Sequence, residues 1–187
     1  MNIVLLGIQG SGKGTQAKIM AEKYNMTIFE AGGECRHLAE EDSELGRKVK
    51  SIVNSGNLVP SNVIMEILDS FLSKTPAEQN VIFDGIPRNP AQKIAFDNVL
   101  KKWNRDFMVI KIQLPKDETI KRLLARGRHD DTHEIITNRH NIFFNDTTPV
   151  IETYRSENKL IPINGHQSIE EVAKEVALKL DPYFLKQ

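Results

Sequence analysis

Residues 2–16 read NIVLLGIQGSGKGTQ. The run at 2–6 has the apolar, β-branched character of a buried strand, and AKIMAEKY at 17–24 continues with helical periodicity. Between them, Gly7, Gly12 and Lys13 meet the spacing G-x-x-x-x-G-K. Glycines in such a loop let successive backbone N–H groups converge on phosphate oxygens, the helix start adds its positive end, and Lys13 supplies a mobile charge. One position departs from the pattern. Gly14 stands where a Ser or Thr usually ligates magnesium, so phosphate oxygens and waters must fill the metal's shell.

A second strand-like run, NVIFD at 80–84, supplies a candidate to orient those waters. An apolar strand ending in Asp84 can place a carboxylate beside the loop and hold a magnesium-bound water, with no direct protein ligand to the metal. Asp before Gly is also a common turn pair, which is the alternative reading of Asp84.

Composition narrows the function classes. The 187 residues are 40% hydrophobic, enough for one domain with a full core, and 25 basic residues balance 25 acidic ones. No broad basic face is available for nucleic acid or an anionic membrane, so anion binding must be local. The apolar start is short for a signal peptide, and no run approaches the length of a membrane span; a cytoplasmic location is expected. Cys35 is the only cysteine, which excludes an internal disulfide and a multi-cysteine zinc site.

Further strand-like runs fall at 27–29, 107–114 and 159–164. Helical patterns cover 13–24, several short stretches within 33–74, then 90–102, 116–126, 133–145, 149–157 and 168–180. Alternation of this kind predicts an α/β fold with a parallel sheet covered on both faces. The connection of about fifty residues after the second strand is too long for an ordinary crossover and predicts a helical subdomain. SKTPAEQN (73–80) and GRHDDT (127–132) are the main loops.

FDGIPRNPAQ at 83–92 then puts an acid, a glycine, a proline-stiffened turn and Arg88 at the carboxyl end of a strand, where open α/β sheets bind ligands. GIQGSGKGTQ (7–16), SELG (43–46), GNLV (56–59), DGIPR (84–88) and RLLARGR (122–128), in this order, resemble the adenylate kinase and nucleoside monophosphate kinase family over nearly the whole chain. The resemblance implies a P-loop three-layer fold with a five-stranded parallel sheet, a monophosphate-binding lobe at 30–59 and a short lid at 127–133. It implies magnesium-dependent, reversible phosphoryl transfer from ATP to a nucleoside monophosphate by a monomer. Gly10, Ser11, Gly12, Lys13, Gly14 and Thr15 would hold the ATP phosphates, with Arg122, Arg126 and Gln167 also on the ATP side. Ala31, Arg36, Asn57, Leu58, Val59, Gly85, Arg88 and Gln92, with Arg128 and Arg139, would bind the acceptor. Lys13, Asp84, Arg88, Arg126, Arg128 and Arg139 would carry catalysis. Gln167 falls where the family often has a lysine, so its contact would come from the backbone.

Phosphoryl transfer asks the protein to bring two anions into line and to stabilise the charge that spreads over the moving group. Six of the nine arginines fall at the family's phosphate or base positions in a chain of zero formal charge. Taken alone, KRLLARGR would read as a solvated basic helix face. HDDTH at 129–133 could ligate a metal, but its aspartates are better read as bracing the lid and capping a helix near His133. Cys35 is expected to pack inside the lobe's first helix, and Leu123, Leu124, Phe143, Phe144 and Val150 to belong to the core.

The acceptor cues conflict. Adenylate kinases typically read Ser-Thr-Gly-Asp before the first phosphate-binding arginine; this chain reads EAGGECR, with Ala31 at the threonine position and Gly33 at the aspartate position. Ala31, Pro60 and Asn89 look more like uridylate-cytidylate kinases, whereas Gln92 matches the adenylate type. AMP is the expected acceptor, with measurable CMP or UMP activity. The rival class is a nucleotide-dependent switch on the same scaffold, which would have less use for a second anion site at Arg36 and Arg88.

Overall fold

The computed structural model describes residues 1–185. Five strands, β1 (Asn2–Leu6), β2 (Thr27–Glu30), β3 (Val81–Asp84), β4 (Phe107–Gln113) and β5 (Leu160–Asn164), form one parallel sheet in the order β2-β3-β1-β4-β5. Around it lie α1 (Lys13–Tyr24), α2 (Ala31–Glu40), α3 (Glu44–Asn54), α4 (Ser61–Ser73), α5 (Pro90–Lys102), α6 (Lys116–Arg126), α7 (His133–Ile142), α8 (Thr148–Ser156) and α9 (Ile169–Phe184). A π-helical turn, Phe143–Thr147, joins α7 to α8.

The sheet is covered on both faces, and the two-residue period of the strands divides the core accordingly. Ile3 and Leu5 of β1 pack with Ala17 and Met20 of α1 and Val176 and Leu180 of α9. Val4 and Leu6 point the other way, into a cluster with Phe29, Phe83, Leu68 of α4 and Phe96 of α5. Edge-on aromatic contacts run through that second layer, from Phe83 to Phe96 (5.3 Å), Phe96 to Phe107 (5.8 Å) and Phe107 to Tyr154 (5.7 Å). Parallel pairing brings three carboxyl ends side by side: Leu5 is in register with Asp84, and Asp84 with Glu30.

Several expectations are corrected. Leu124 is 39% exposed and Phe144 48% exposed, not core. Leu123 already fills the inward face of α6, and its helical neighbour lies about 100° round the axis; Phe144 instead stacks edge-on against Phe143. The helix expected over 133–145 stops at Ile142 and widens into the π-helical turn. Its cap is Thr132, whose side chain accepts from Ile135 N–H, and not an aspartate. The last helix runs past 180 to Phe184 despite Pro182. Phe184 packs on Tyr24 at 4.8 Å, and Asp181 accepts from the Tyr24 hydroxyl at 2.6 Å, which holds the final turn against α1.

Candidate active site

A cleft of about 970 Å³ opens at the carboxyl ends of the strands, with the loop after β1 as its floor and arginines along both walls. Gly12 begins α1 at φ +96°, a left-handed conformation that suits glycine, and no side chain caps the helix. The first N–H groups of α1 therefore remain free for an anion. Gly10 is needed for a second reason: a Cβ there would come within 2.9 Å of Thr119 O on α6.

Lys13 folds back over its own loop and donates to Gly7 O (2.7 Å) and Ile8 O (3.1 Å). Burial lowers its pKa to about 8, Asp84 opposes the shift, and Arg88 and Arg126 add to it. Asp84 is buried at the end of β3. Burial raises its pKa, Lys13 opposes this, Glu30 adds to it and Arg88 opposes it. Asp84 Oδ2 lies 3.8 Å from the point that a Cβ on Gly14 would occupy, so the carboxylate stands next to the position that lacks a hydroxyl.

Arg88 is fixed at three points. Its Nε donates to Gly85 O (2.6 Å), its backbone N–H to Gln92 Oε1 (2.8 Å), and its carbonyl accepts from Thr147 Oγ1 (2.8 Å). Asn89 caps α5 by accepting from Gln92 N–H, which holds that glutamine in place. Arg36 reaches the same space from α2. A Cβ on Gly32 would lie 3.2 Å from Arg36 Nη1 and 3.8 Å from Arg88 Nη2, so the two guanidinium groups converge over a glycine that leaves room for an anion. Burial pushes the Arg88 pKa down, Asp84 and Cys35 oppose, and Arg139 and Arg36 add to the shift. An incoming anion relieves that excess of positive charge. Beside the arginines, Ala31, Leu58, Val59, Ile64 and Ile86, together with the polar Asn57, Arg88 and Gln92, line a small recess.

On the opposite wall, Arg126 makes a two-pronged pair with Asp131 (2.8 and 2.6 Å), and Arg139 donates to Asp130 Oδ2 at 2.6 Å. Asp131 also accepts from the backbone N–H of Arg128 at 3.2 Å. The two aspartate side chains are buried and committed to arginines, which matches their expected bracing role. Among the described residues no group of three or more His, Cys, Asp or Glu is placed to hold a metal. Arg122 contacts Glu118 (3.3 Å). Gln167 lines the cleft, but its amide is tied to Asn164 O (2.9 Å) and Glu175 Oε2 (2.7 Å).

The cleft thus collects Gly10, Gly12, Lys13, Gly14 and Thr15 of the loop with Asp84, Arg36, Arg88, Arg122, Arg126, Arg128 and Arg139, whereas Ser11 is buried and does not line it. Asn57 lines it too, but its side chain is turned to the α7 side: Oδ1 accepts from Asn138 Nδ2 at 3.1 Å. Two participants escape sequence reading. Thr147 falls in the gap between the helices read at 133–145 and 149–157, and only the π-helical turn aims its hydroxyl at Arg88. Glu30 ends a short strand, and only its register with Asp84 brings it to the cleft.

A family model described as adenylate kinase matches residues 5–159. Adenylate kinase 1 of a Nostoc species is 37% identical over 179 residues, covering 95% of this chain and 97% of that protein. The adenylate kinase of Azobacteroides pseudotrichonymphae is 35% identical over 189 residues, covering 98% and 99%. That of Archaeoglobus fulgidus is 32% identical over 213 aligned positions, covering 97% and 98%.

Proposed function

The chain belongs to the adenylate kinase family, and from that membership we propose that it transfers the γ-phosphoryl group of ATP reversibly to AMP, giving two ADP. The observation that carries this reading is the pair of anion sites facing one cleft: the loop with Lys13, and the guanidinium groups of Arg36 and Arg88 converging over Gly32. A nucleotide switch has no use for the second site.

In this reading the N–H groups at the start of α1 hold the donor phosphates, and Lys13 leaves its carbonyl partners for the transferred group. Arg36 and Arg88 hold the acceptor phosphate in line with it. Arg126, Arg128 and Arg139 approach from the lid side and neutralise charge on the equatorial oxygens. Residues 30–59 act as the acceptor lobe and 127–133 as the lid, whose closure keeps water from the γ-phosphate. The site fits a magnesium ion carried by phosphate oxygens and water: Gly14 offers no ligand, and Asp84 stands where it can accept from a bound water. Magnesium, when bound, neutralises charge on the β- and γ-oxygens. The recess around Gln92 takes the acceptor base, and CMP or UMP would be secondary acceptors.

We propose that it acts on soluble nucleotides as a cytoplasmic monomer. Among the described residues no helix is long and apolar enough to cross a membrane. The test is incubation with ADP and magnesium alone. Formation of ATP and AMP in equal amounts is expected, whereas a hydrolase or switch regenerates no ATP.

A further inference from the structure

One acidic side chain in the cleft has no part in this scheme. Glu30 ends β2 and turns its carboxylate back over the first turn of α2. Oε1 accepts from Arg36 Nη2 at 2.8 Å, and Oε2 lies 3.3 Å from the point that a Cβ on Gly33 would occupy. A larger residue at 33 would contest that space, so the glycine that departs from the family pattern is also what lets Glu30 fold there. The same Oε1 is 4.0 Å from the Cβ point of Gly32, over which Arg36 and Arg88 converge. An anionic oxygen already stands at the edge of the anion cradle.

We propose that Glu30 is a tethered counter-ion: it occupies Arg36 in the free protein and yields it to the phosphate group of the acceptor, and so sets acceptor affinity. This rests on the reading of Arg36 and Arg88 as the acceptor-phosphate residues. The contrast with the lid supports it. The Asp131 side chain is 0% exposed and grips Arg126 with both oxygens, an arrangement costly to break. The Glu30 side chain is 50% exposed and Arg36 32% exposed, so the released carboxylate passes into water at little cost. A phosphate offers more charge and more oxygens than a carboxylate and engages Arg88 as well, so the exchange runs toward phosphate. Until then Arg36 is kept compensated and aimed at the cleft.

The experiment is calorimetric titration of AMP into wild type, Glu30→Gln and Glu30→Ala without ATP or magnesium. Glu30 makes no side-chain cap bond to α2, so neither change removes a helix cap. AMP should bind roughly two- to fivefold more tightly to both variants, the scale of losing an exposed competing pair. ATP affinity should keep its wild-type value, and the gain for AMP should shrink at high salt. Failure of either variant to bind AMP more tightly than wild type overturns the proposal. A shifted magnesium requirement with unchanged AMP affinity also overturns it and assigns Glu30 to the metal's water shell. Arg88→Ala is the separate control: AMP binding retained in that variant defeats the acceptor-site reading itself, whatever Glu30 does.

Discussion

Asp84 Oδ2 lies 3.8 Å from the point where a Cβ on Gly14 would sit, so the carboxylate of β3 adjoins the one position of the phosphate loop that lacks its usual hydroxyl. Pairing of β1 with β3 sets this geometry, because Leu5 and Asp84 are in register and the loop follows two residues later. On the proposed reading, a carboxylate there would orient metal-bound water. Asp84→Asn keeps the shape and removes the charge, and it should raise the magnesium concentration for half-maximal rate by about tenfold or more, the usual effect of losing an outer-shell partner. An unchanged magnesium titration would reduce Asp84 to a turn residue.

The Lys13 ammonium is held with a pKa of about 8, chiefly by burial, with Arg88 and Arg126 adding to the shift. Bound triphosphate favours the charged form, so its pKa rises in the complex and ATP binding above pH 8 takes up a proton. The sign follows: affinity for ATP is highest below pH 8 and falls as pH rises from 8 toward the pKa of the bound state, by up to about tenfold per unit. The phosphate groups of ATP are fully ionised in this range and contribute no slope. Lys13→Arg, whose guanidinium does not titrate there, should flatten the profile. A wild-type ATP affinity that is level from pH 7 to 10 contradicts the assignment.

Much of this arrangement was legible in the sequence, for physical reasons that differ by element. β1 and β3 are apolar throughout because both faces of a parallel sheet are buried, so NIVLL and VIFD stand out as strands. The phosphate loop is legible because its backbone path needs glycines at fixed spacing. Leu124 and Phe144 mislead a sequence reading because an apolar residue in a helix or a π-helical turn does not declare which side of the axis it takes. Thr147 and Glu30 were invisible for a deeper reason. A π-helical turn re-aims one hydroxyl, and strand register sets two acids side by side; neither leaves a periodic trace in the chain.

Thr147 provides a test of positioning without charge. Its hydroxyl, buried, donates to Arg88 O at 2.8 Å. Thr147→Val keeps the volume and removes the donor, leaving a carbonyl short of one partner, a loss of about 1 kcal/mol. The effect should appear as a several-fold rise in KM for AMP with KM for ATP unaltered, and Thr147→Ser should restore it. A purely structural role would instead lower the melting temperature and leave both KM values alone.

If Gln92 reads the acceptor base as proposed, the choice turns on which end of its amide faces the recess. Oε1 accepts from the Arg88 backbone N–H at 2.8 Å, which fixes the amide orientation and leaves Nε2, a donor, as the free end. Adenine N1 and cytosine N3 are acceptors and can meet it. Uracil N3 and guanine N1 carry hydrogens, so a donor would face a donor, and an unmatched buried pair costs about 1–3 kcal/mol. Between the two compatible bases, adenine buries more apolar surface against Ala31, Leu58, Val59 and Ile64 than the single ring of cytosine does. The expected order of kcat/KM is therefore AMP, then CMP, then UMP and GMP. The gap between CMP and UMP is the direct readout of the amide, and it should reach roughly tenfold or more. Gln92→Glu, ionised at neutral pH, presents only acceptors, so it should narrow or reverse that gap and penalise AMP. Wild-type activity on UMP above that on CMP would show that the amide does not read the base in this way, while leaving the two anion sites and the transfer between them in place.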